Sequence, residues 1–124
     1  MLRLTLSWLS VAAVAAALFV VPASAMSHPK LIGTVGKNDS FVITLKNSHG
    51  KAVKTLKAGT YTFVIHDDSA IHNFGLDGPH GFAKDFTTVP FIGTKTATVK
   101  LKAGKYKYYC KAHESTMFHH FTVR

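Results

Sequence analysis

The sequence has 124 residues, the length of one small domain rather than two. Fifteen basic against six acidic side chains give a net charge of +9, which favours anionic partners. Nearly all the basic residues are lysines scattered along the chain, and nucleic-acid readers rely on arginine, so we exclude a dedicated nucleic-acid binder.

The N-terminal segment has the layout of a secretory signal peptide. Arg3 precedes the apolar run Leu4–Val21, and the small residues Ala23-Ser24-Ala25 follow. We therefore predict a signal peptide over residues 1–25, cleaved after Ala25, and an exported protein that is periplasmic or extracellular. An uncleaved anchor is the alternative, because eighteen residues are long enough to span a bilayer.

Removing the predicted signal peptide leaves one domain, residues 26–124, with residues 26–30 expected to be flexible. No later segment is apolar for long enough to cross a membrane, so we expect no membrane insertion after cleavage. The domain keeps a net charge of +8, one less than the whole chain because Arg3 is lost. Its single cysteine, Cys110, cannot form an internal disulfide, so burial, a partner or a metal must protect the thiol.

From residue 31 onward the apolar residues recur with period two, which predicts β-strands separated by Gly, Asn and Pro turns. Short strands at this spacing indicate an all-β protein, an antiparallel sandwich or barrel. Residues 78–93 lack alternation but contain three phenylalanines, so we expect this stretch to pack on the core. The predicted strands are Phe41–Lys46, Tyr61–Ile65, Thr96–Lys102, Tyr106–Cys110 and Phe121–Arg124.

One pattern, L-K-A-G-x-Y, occurs twice, at Leu56–Tyr61 and at Leu101–Tyr106. A turn glycine followed by a strand tyrosine resembles the tyrosine corner of Greek-key sandwiches, in which the hydroxyl bonds to upstream backbone. We assign these tyrosines a structural role.

Four side chains suggest a metal site. Cys110, His113 and Met117 follow one another on one short segment, and they offer a thiolate, an imidazole and a thioether. His72, which the pattern places in an apolar strand, is the best candidate for a fourth donor. Two histidines, a cysteine and a weak axial methionine form the ligand set of a blue-copper electron-transfer centre.

Each of these residues has another interpretation. Cys110 and Met117 are compatible with ordinary core positions, and His72 with a hydrogen-bonded core histidine. Zinc is the chemical rival of copper, but structural zinc sites favour four firm N/S ligands. The neighbouring pair His119-His120 is compatible with an auxiliary copper-capture patch or with solvated surface residues.

Two segments carry a resemblance to a known family. Residues 72–79 have the pattern H-N-F-x-L-x-G-P, and residues 110–117 have the pattern C-x-x-H-x-x-x-M. These segments resemble the small exported bacterial cupredoxins of the plastocyanin, amicyanin and pseudoazurin type, over about residues 31–124. The resemblance implies a Greek-key β-sandwich of about eight strands with one type 1 copper ion at one end.

By position in that family, His72, Cys110 and His113 match the equatorial ligands and Met117 the axial ligand. Asn73 matches the asparagine that ties the two ligand loops together beneath the metal. This chain departs from the family in the four-residue step from His113 to Met117, and in having His119 two residues after Met117, where the family usually has a glycine.

The expected function is one-electron transfer between Cu(I) and Cu(II), with no enzymatic activity of its own. The partner is expected to be a redox protein with an acidic surface, and the protein a monomer with His113 as the electron port. Two alternatives stay open. One is copper storage, delivery or sensing on the same scaffold, and the other is a non-redox β-sandwich interaction module with an unused or zinc-filled site.

Overall fold

The computed structural model describes residues 15–20 and 27–124. The cleavage site predicted after Ala25 and most of the predicted signal peptide lie outside these residues. Residues 15–20 and 27–29 have no regular secondary structure, and the first strand begins at Lys30. Over the described part of the chain, no helix combines the length and apolar character needed to span a bilayer.

The domain is all-β, as predicted, with nine described strands where we expected about eight. The additional strands are short, and β3 contains two residues. Three 3-10 turns occupy Lys37–Asp39, Pro79–Gly81 and Lys111–His113. The strands are β1 Lys30–Val35, β2 Ile43–Asn47, β3 Thr55–Leu56, β4 Gly59–Asp67, β5 Gly75–Asp77, β6 Ala83–Asp85, β7 Gly93–Leu101, β8 Gly104–Tyr109 and β9 Phe118–Val123.

The strands form two sheets, with the orders β2-β1-β4-β7 and β3-β9-β8-β5-β6. Most neighbours are antiparallel, but β1 pairs with β4 and β3 pairs with β9 in parallel. Both sheets are therefore mixed, which corrects the antiparallel expectation. The physical reason is that paired strands distant in sequence, such as β1 and β4, are joined by excursions through other elements rather than by tight hairpins.

The core lies between the two sheets, where alternate side chains of each strand meet. In β4, Tyr61, Phe63 and Ile65 point inward and are buried, and Phe63 stacks on Phe86 with ring centres 5.0 Å apart. Phe86 belongs to residues 78–93, so part of this stretch packs on the core as predicted.

One predicted strand begins later than expected. The pattern places Phe41 and Val42 in a strand, but β2 starts at Ile43 and both residues are about half exposed. The Gly36 amide donates to the Val42 carbonyl at 3.1 Å and closes a turn around residues 37–41. Because this turn sets the direction of the chain, Phe41 lies outside the sheet and does not join the core between the two sheets.

Both tyrosine corners are present. The Tyr61 hydroxyl donates to the Lys57 carbonyl at 2.7 Å, and the Tyr106 hydroxyl donates to the Lys102 carbonyl at 2.9 Å. The Tyr106 hydroxyl also accepts the Lys102 amide at 3.0 Å. Each hydroxyl thus satisfies backbone groups of the turn four residues upstream and fixes the entry into β4 or β8.

Candidate metal centre

The loop between β4 and β5 carries His72. The Ser69 amide donates to Asp67 Oδ1 at 3.3 Å, the Ile71 amide to Ser69 Oγ at 3.4 Å, and the His72 amide to the Ser69 carbonyl at 3.4 Å. These bonds replace the strand ladder with a turn. The prediction that His72 lies in a strand is therefore wrong, although its side chain is fully buried.

The loop between β8 and β9 carries the other three candidate ligands. The Cys110 amide donates to the Met117 carbonyl at 3.0 Å, and the His113 amide donates to the Cys110 carbonyl at 3.1 Å. The Met117 amide donates a hydrogen bond to the His113 carbonyl at 2.8 Å. Cys110 and Met117 are buried and His113 is half-buried, so a short closed loop presents all three side chains at one end of the sandwich.

Three donor atoms converge between these loops. His72 Nδ1 lies 3.0 Å from His113 Nδ1, and Cys110 Sγ lies 3.7 Å from each of these nitrogens. The point equidistant from the corners of such a triangle is about 2.0 Å from each atom. Transition-metal bonds to imidazole nitrogen are about 2.0–2.1 Å and to thiolate about 2.3 Å, so the triangle is close to the size that a metal ion requires.

The protonation state of His72 suits this role. Burial lowers its pKa, and the nearby His113 lowers it further, whereas the charges of Asp67 and Asp39 act in the opposite direction. A lowered pKa keeps the imidazole neutral with a free lone pair, which is the form that binds metal. The donor set of two imidazoles and one thiolate fits a borderline or soft ion such as copper or zinc.

Met117 stands close to this group along the chain. Its backbone is bonded to Cys110 and to His113, and its side chain is 1% exposed. The thioether is therefore held inside the molecule at the same end as the three donors. Its place as a fourth, axial ligand remains a prediction from the sequence.

Asn73 joins the two loops. Its Oδ1 accepts the Lys111 amide at 2.7 Å, and its own amide donates to Cys110 Sγ at 3.4 Å. Its Nδ2 donates to the Thr87 carbonyl at 3.4 Å, and Thr87 Oγ1 accepts the Phe74 amide at 2.9 Å. Thr87 thus accepts hydrogen bonds from the two residues that follow His72 and holds this loop in place. Sequence reasoning missed this contact, because nothing in the local pattern around Thr87 indicates it.

Phe41 is the second residue that sequence reasoning missed. Its ring centre lies 4.9 Å from that of His72 and 4.7 Å from that of His113, with interplanar angles of 79° and 76°. The period-two pattern predicts that Phe41 is the first residue of a strand, and no sequence signal links it to either histidine.

The remaining histidines lie outside the converging group. His119 and His120 are exposed at the start of β9, and His66 Nδ1 bonds to Thr94 Oγ1 at 3.0 Å. Within residues 27–124, the group of His, Cys, Asp or Glu side chains close enough to share a metal ion is His72, Cys110 and His113.

The ligand loop is flanked by charge pairs. Lys111 Nζ lies 2.7 Å from Asp85 Oδ2, and Lys107 Nζ lies 2.7 Å from Glu114 Oε1. Next to Cys110, burial together with Asp77 raises the pKa of Tyr109 to about 12. Lysines and acids are therefore mixed around the loop.

Comparison with solved structures agrees with this architecture. The chain is similar to the copper protein rusticyanin, at 17% identity and a TM-score of 0.53 over 77% of this chain and 76% of that one. Reduced rusticyanin is similar at 19% identity and a TM-score of 0.52, over 77% of this chain and 78% of that one. Auracyanin A, a "blue" copper protein from Chloroflexus aurantiacus, is similar at 20% identity and a TM-score of 0.50, over 77% of this chain and 98% of that one.

No protein-family model matches the chain, and no curated protein sequence matches it. The structural likeness establishes the fold: the chain has the cupredoxin fold, as the sequence resemblance predicted.

Proposed function

We propose that this protein is an exported type 1 copper protein that carries single electrons between redox partners. The observation that carries the proposal is the convergence of His72 Nδ1, His113 Nδ1 and Cys110 Sγ at separations of 3.0 and 3.7 Å. Two imidazole nitrogens and one cysteine sulfur form a donor set suited to both copper oxidation states.

Copper is favoured over zinc by the composition of the site. A structural zinc site prefers four firm ligands, usually with paired cysteines, and the sequence contains one cysteine. In our proposal, Met117 completes the set as a weak axial thioether, a ligand type suited to copper. The fold neighbours rusticyanin and auracyanin A are copper proteins, which supports the same assignment.

The geometry also favours electron transfer over catalysis. Hydrogen bonds within and between the two loops hold the three donors in place, so a change of oxidation state requires little rearrangement of the protein. The bound ion supplies the exchanged electron. The protein supplies a fixed donor geometry, the Asn73 amide that donates to Cys110 Sγ at 3.4 Å, and a half-buried His113 through which the site reaches the surface.

The proposed partner is a redox protein with an acidic surface, and the protein is proposed to act as a monomer. The net charge of +8 on residues 26–124 supports long-range attraction to such a partner. Lys107 and Lys111, beside the ligand loop, are paired with Glu114 and Asp85, so this attraction comes mainly from the lysines elsewhere on the surface.

The decisive experiment adds Cu(II) to purified protein and records its absorption spectrum. We expect an intense thiolate-to-copper band near roughly 600 nm, a blue or green colour, and loss of that band in Cys110→Ala. His120→Ala is the matched control, because His120 is exposed and outside the donor group, and it should keep the colour. A colourless product with weak bands alone would overturn the type 1 assignment.

A second experiment separates an electron carrier from a copper-delivery protein. Reduced protein is mixed with an acidic redox protein at low and high salt, and both colour and copper content are followed. A carrier exchanges electrons and keeps its copper, and its rate falls as salt shortens the Debye length. Copper leaving as fast as the electrons would favour delivery, and a rate independent of salt would remove the argument that charge selects the partner.

A further inference from the structure

Phe41 is a large apolar side chain that remains 54% exposed, yet it makes edge-on contacts with two candidate metal ligands at once. Its ring centre is 4.9 Å from that of His72 and 4.7 Å from that of His113. The two imidazole rings are themselves 4.8 Å apart. A half-exposed ring in contact with both imidazoles has one side toward solvent and the other toward the donor pair.

The segment that carries Phe41 is fixed against the His72 loop. Gly36, which begins the turn, has φ +70, and a Cβ added there would lie 2.5 Å from Ser69 Cβ and 2.9 Å from His72 Cδ2. These distances are too short for a side chain, so glycine permits the close approach. The hydrogen bond from the Gly36 amide to the Val42 carbonyl then sets the direction in which Phe41 leaves the turn.

We propose that Phe41 is a positioning residue that covers the solvent side of the donor triangle. This inference rests on the proposed function, and it concerns access to the metal rather than its identity. A single aromatic layer excludes water and small anions from the metal position while leaving a short path through His113. An apolar cover also disfavours the more highly charged Cu(II), so it raises the reduction potential.

The first test uses metal-free protein and does not depend on copper. Cys110 is the single cysteine of the sequence and is fully buried, so its reaction with the disulfide reagent DTNB reports access to the site. We expect the reaction to be about tenfold or more faster in Phe41→Ala, because opening the cover no longer requires local unfolding. Phe41→Trp keeps an aromatic layer and should react at the wild-type rate.

Val42→Ala is the matched control, because Val42 is the next residue on the same segment and is 55% exposed, yet it leaves the Phe41 ring in place. It should also react at the wild-type rate. If Phe41→Ala does not fold, as judged by circular dichroism, Phe41→Leu replaces it and should be faster than wild type. Equal rates in the wild type and in the folded variant that lacks the ring would overturn the proposal.

The second test uses copper-loaded protein and azide as the probe. Azide should shift the absorption and EPR spectra of Phe41→Ala, but not those of the wild type or Val42→Ala, and the potential of Phe41→Ala should fall. A wild type without colour would defeat the proposed function while the thiol rates still decide whether Phe41 is a cover. A coloured wild type whose Phe41→Ala variant ignores azide and keeps its potential would overturn the cover and leave the copper assignment intact.

Discussion

Replacing Asn73 with alanine tests whether the two ligand loops are held together by one side chain. Asn73 Oδ1 accepts the half-buried Lys111 amide at 2.7 Å, whereas its Nδ2 reaches the Thr87 carbonyl at 3.4 Å, near the limit of a hydrogen bond. The substitution leaves the Lys111 amide without its partner, and such a loss costs about 1–3 kcal/mol. Because the second bond is long, we expect the free energy of unfolding to fall by about 2 kcal/mol.

Asn73→Ala should also weaken copper binding, and this effect should be more pronounced than the loss of folding stability. Asn73 spans the loop that carries His72 and the loop that carries Cys110, so its removal loosens the spacing between donors from different loops. Residues that orient metal ligands typically contribute about 10–100-fold to metal affinity. We therefore expect copper affinity to fall by about tenfold or more in Asn73→Ala, with a weaker and shifted colour.

The assay is urea unfolding of the metal-free protein together with competition for copper against a chelator. Asn47→Ala is the control, because Asn47 Oδ1 also accepts two loop amides, His49 and Lys51, each at 3.0 Å. That loop is exposed and outside the donor group, so its amides can turn to water and copper affinity should not change. The reasoning is refuted if Asn73→Ala matches the wild type in both assays, or if both variants weaken copper binding equally.

Three further predictions concern single side chains. Met117→Leu should keep a coloured site and raise its reduction potential in voltammetry, because a weak axial donor stabilises Cu(II) more than Cu(I). An unchanged spectrum and potential would show that Met117 is an ordinary core residue and not a ligand. Tyr106→Phe should destabilise the protein by about 1–2 kcal/mol in urea, because the Lys102 amide and carbonyl both lose the hydroxyl, and more than Tyr61→Phe, which loses one bond. Tyr109 should ionise with a pKa of about 12 when followed by absorbance at 295 nm. Because this pKa lies above the ordinary value of 10, the folded state holds the proton more tightly, so the stability from this group is present below pH 10 and is lost as the pH rises toward 12. Tyr109→Phe should reduce that loss, and an unchanged loss in this variant would contradict the prediction.

Local features of the sequence were enough to predict much of the architecture. Alternating apolar residues require one buried face per strand, and this predicted the all-β class and strands that overlap β2, β4, β7, β8 and β9. The repeated L-K-A-G-x-Y motif predicted two hydroxyl-to-backbone bonds, because each tyrosine and its turn lie within five residues. Cys110, His113 and Met117 were predicted as one group for the same reason, since a short loop brings its own side chains together.

Features that depend on distant segments required the tertiary structure. The parallel pairings of β1 with β4 and β3 with β9 leave no local pattern, because they join strands far apart in sequence. The turn around His72 is a different case, because the hydrogen bonds that Asp67 and Ser69 accept from the Ser69 and Ile71 amides are local, and the apolar pattern predicts a strand there without indicating them.

The same limit applies to the surroundings of the metal centre. Residue types predicted His72 and Cys110 as candidate donors, but the 3.7 Å between Cys110 Sγ and His72 Nδ1 results from two loops 38 positions apart being packed at one end of the sandwich. Phe41 alternates correctly for a strand, and the turn after Gly36 is what directs it onto both histidines. Sequence spacing thus determined which candidate donors the chain offers, and packing between distant loops decided their geometry, because contact between remote segments depends on the whole fold.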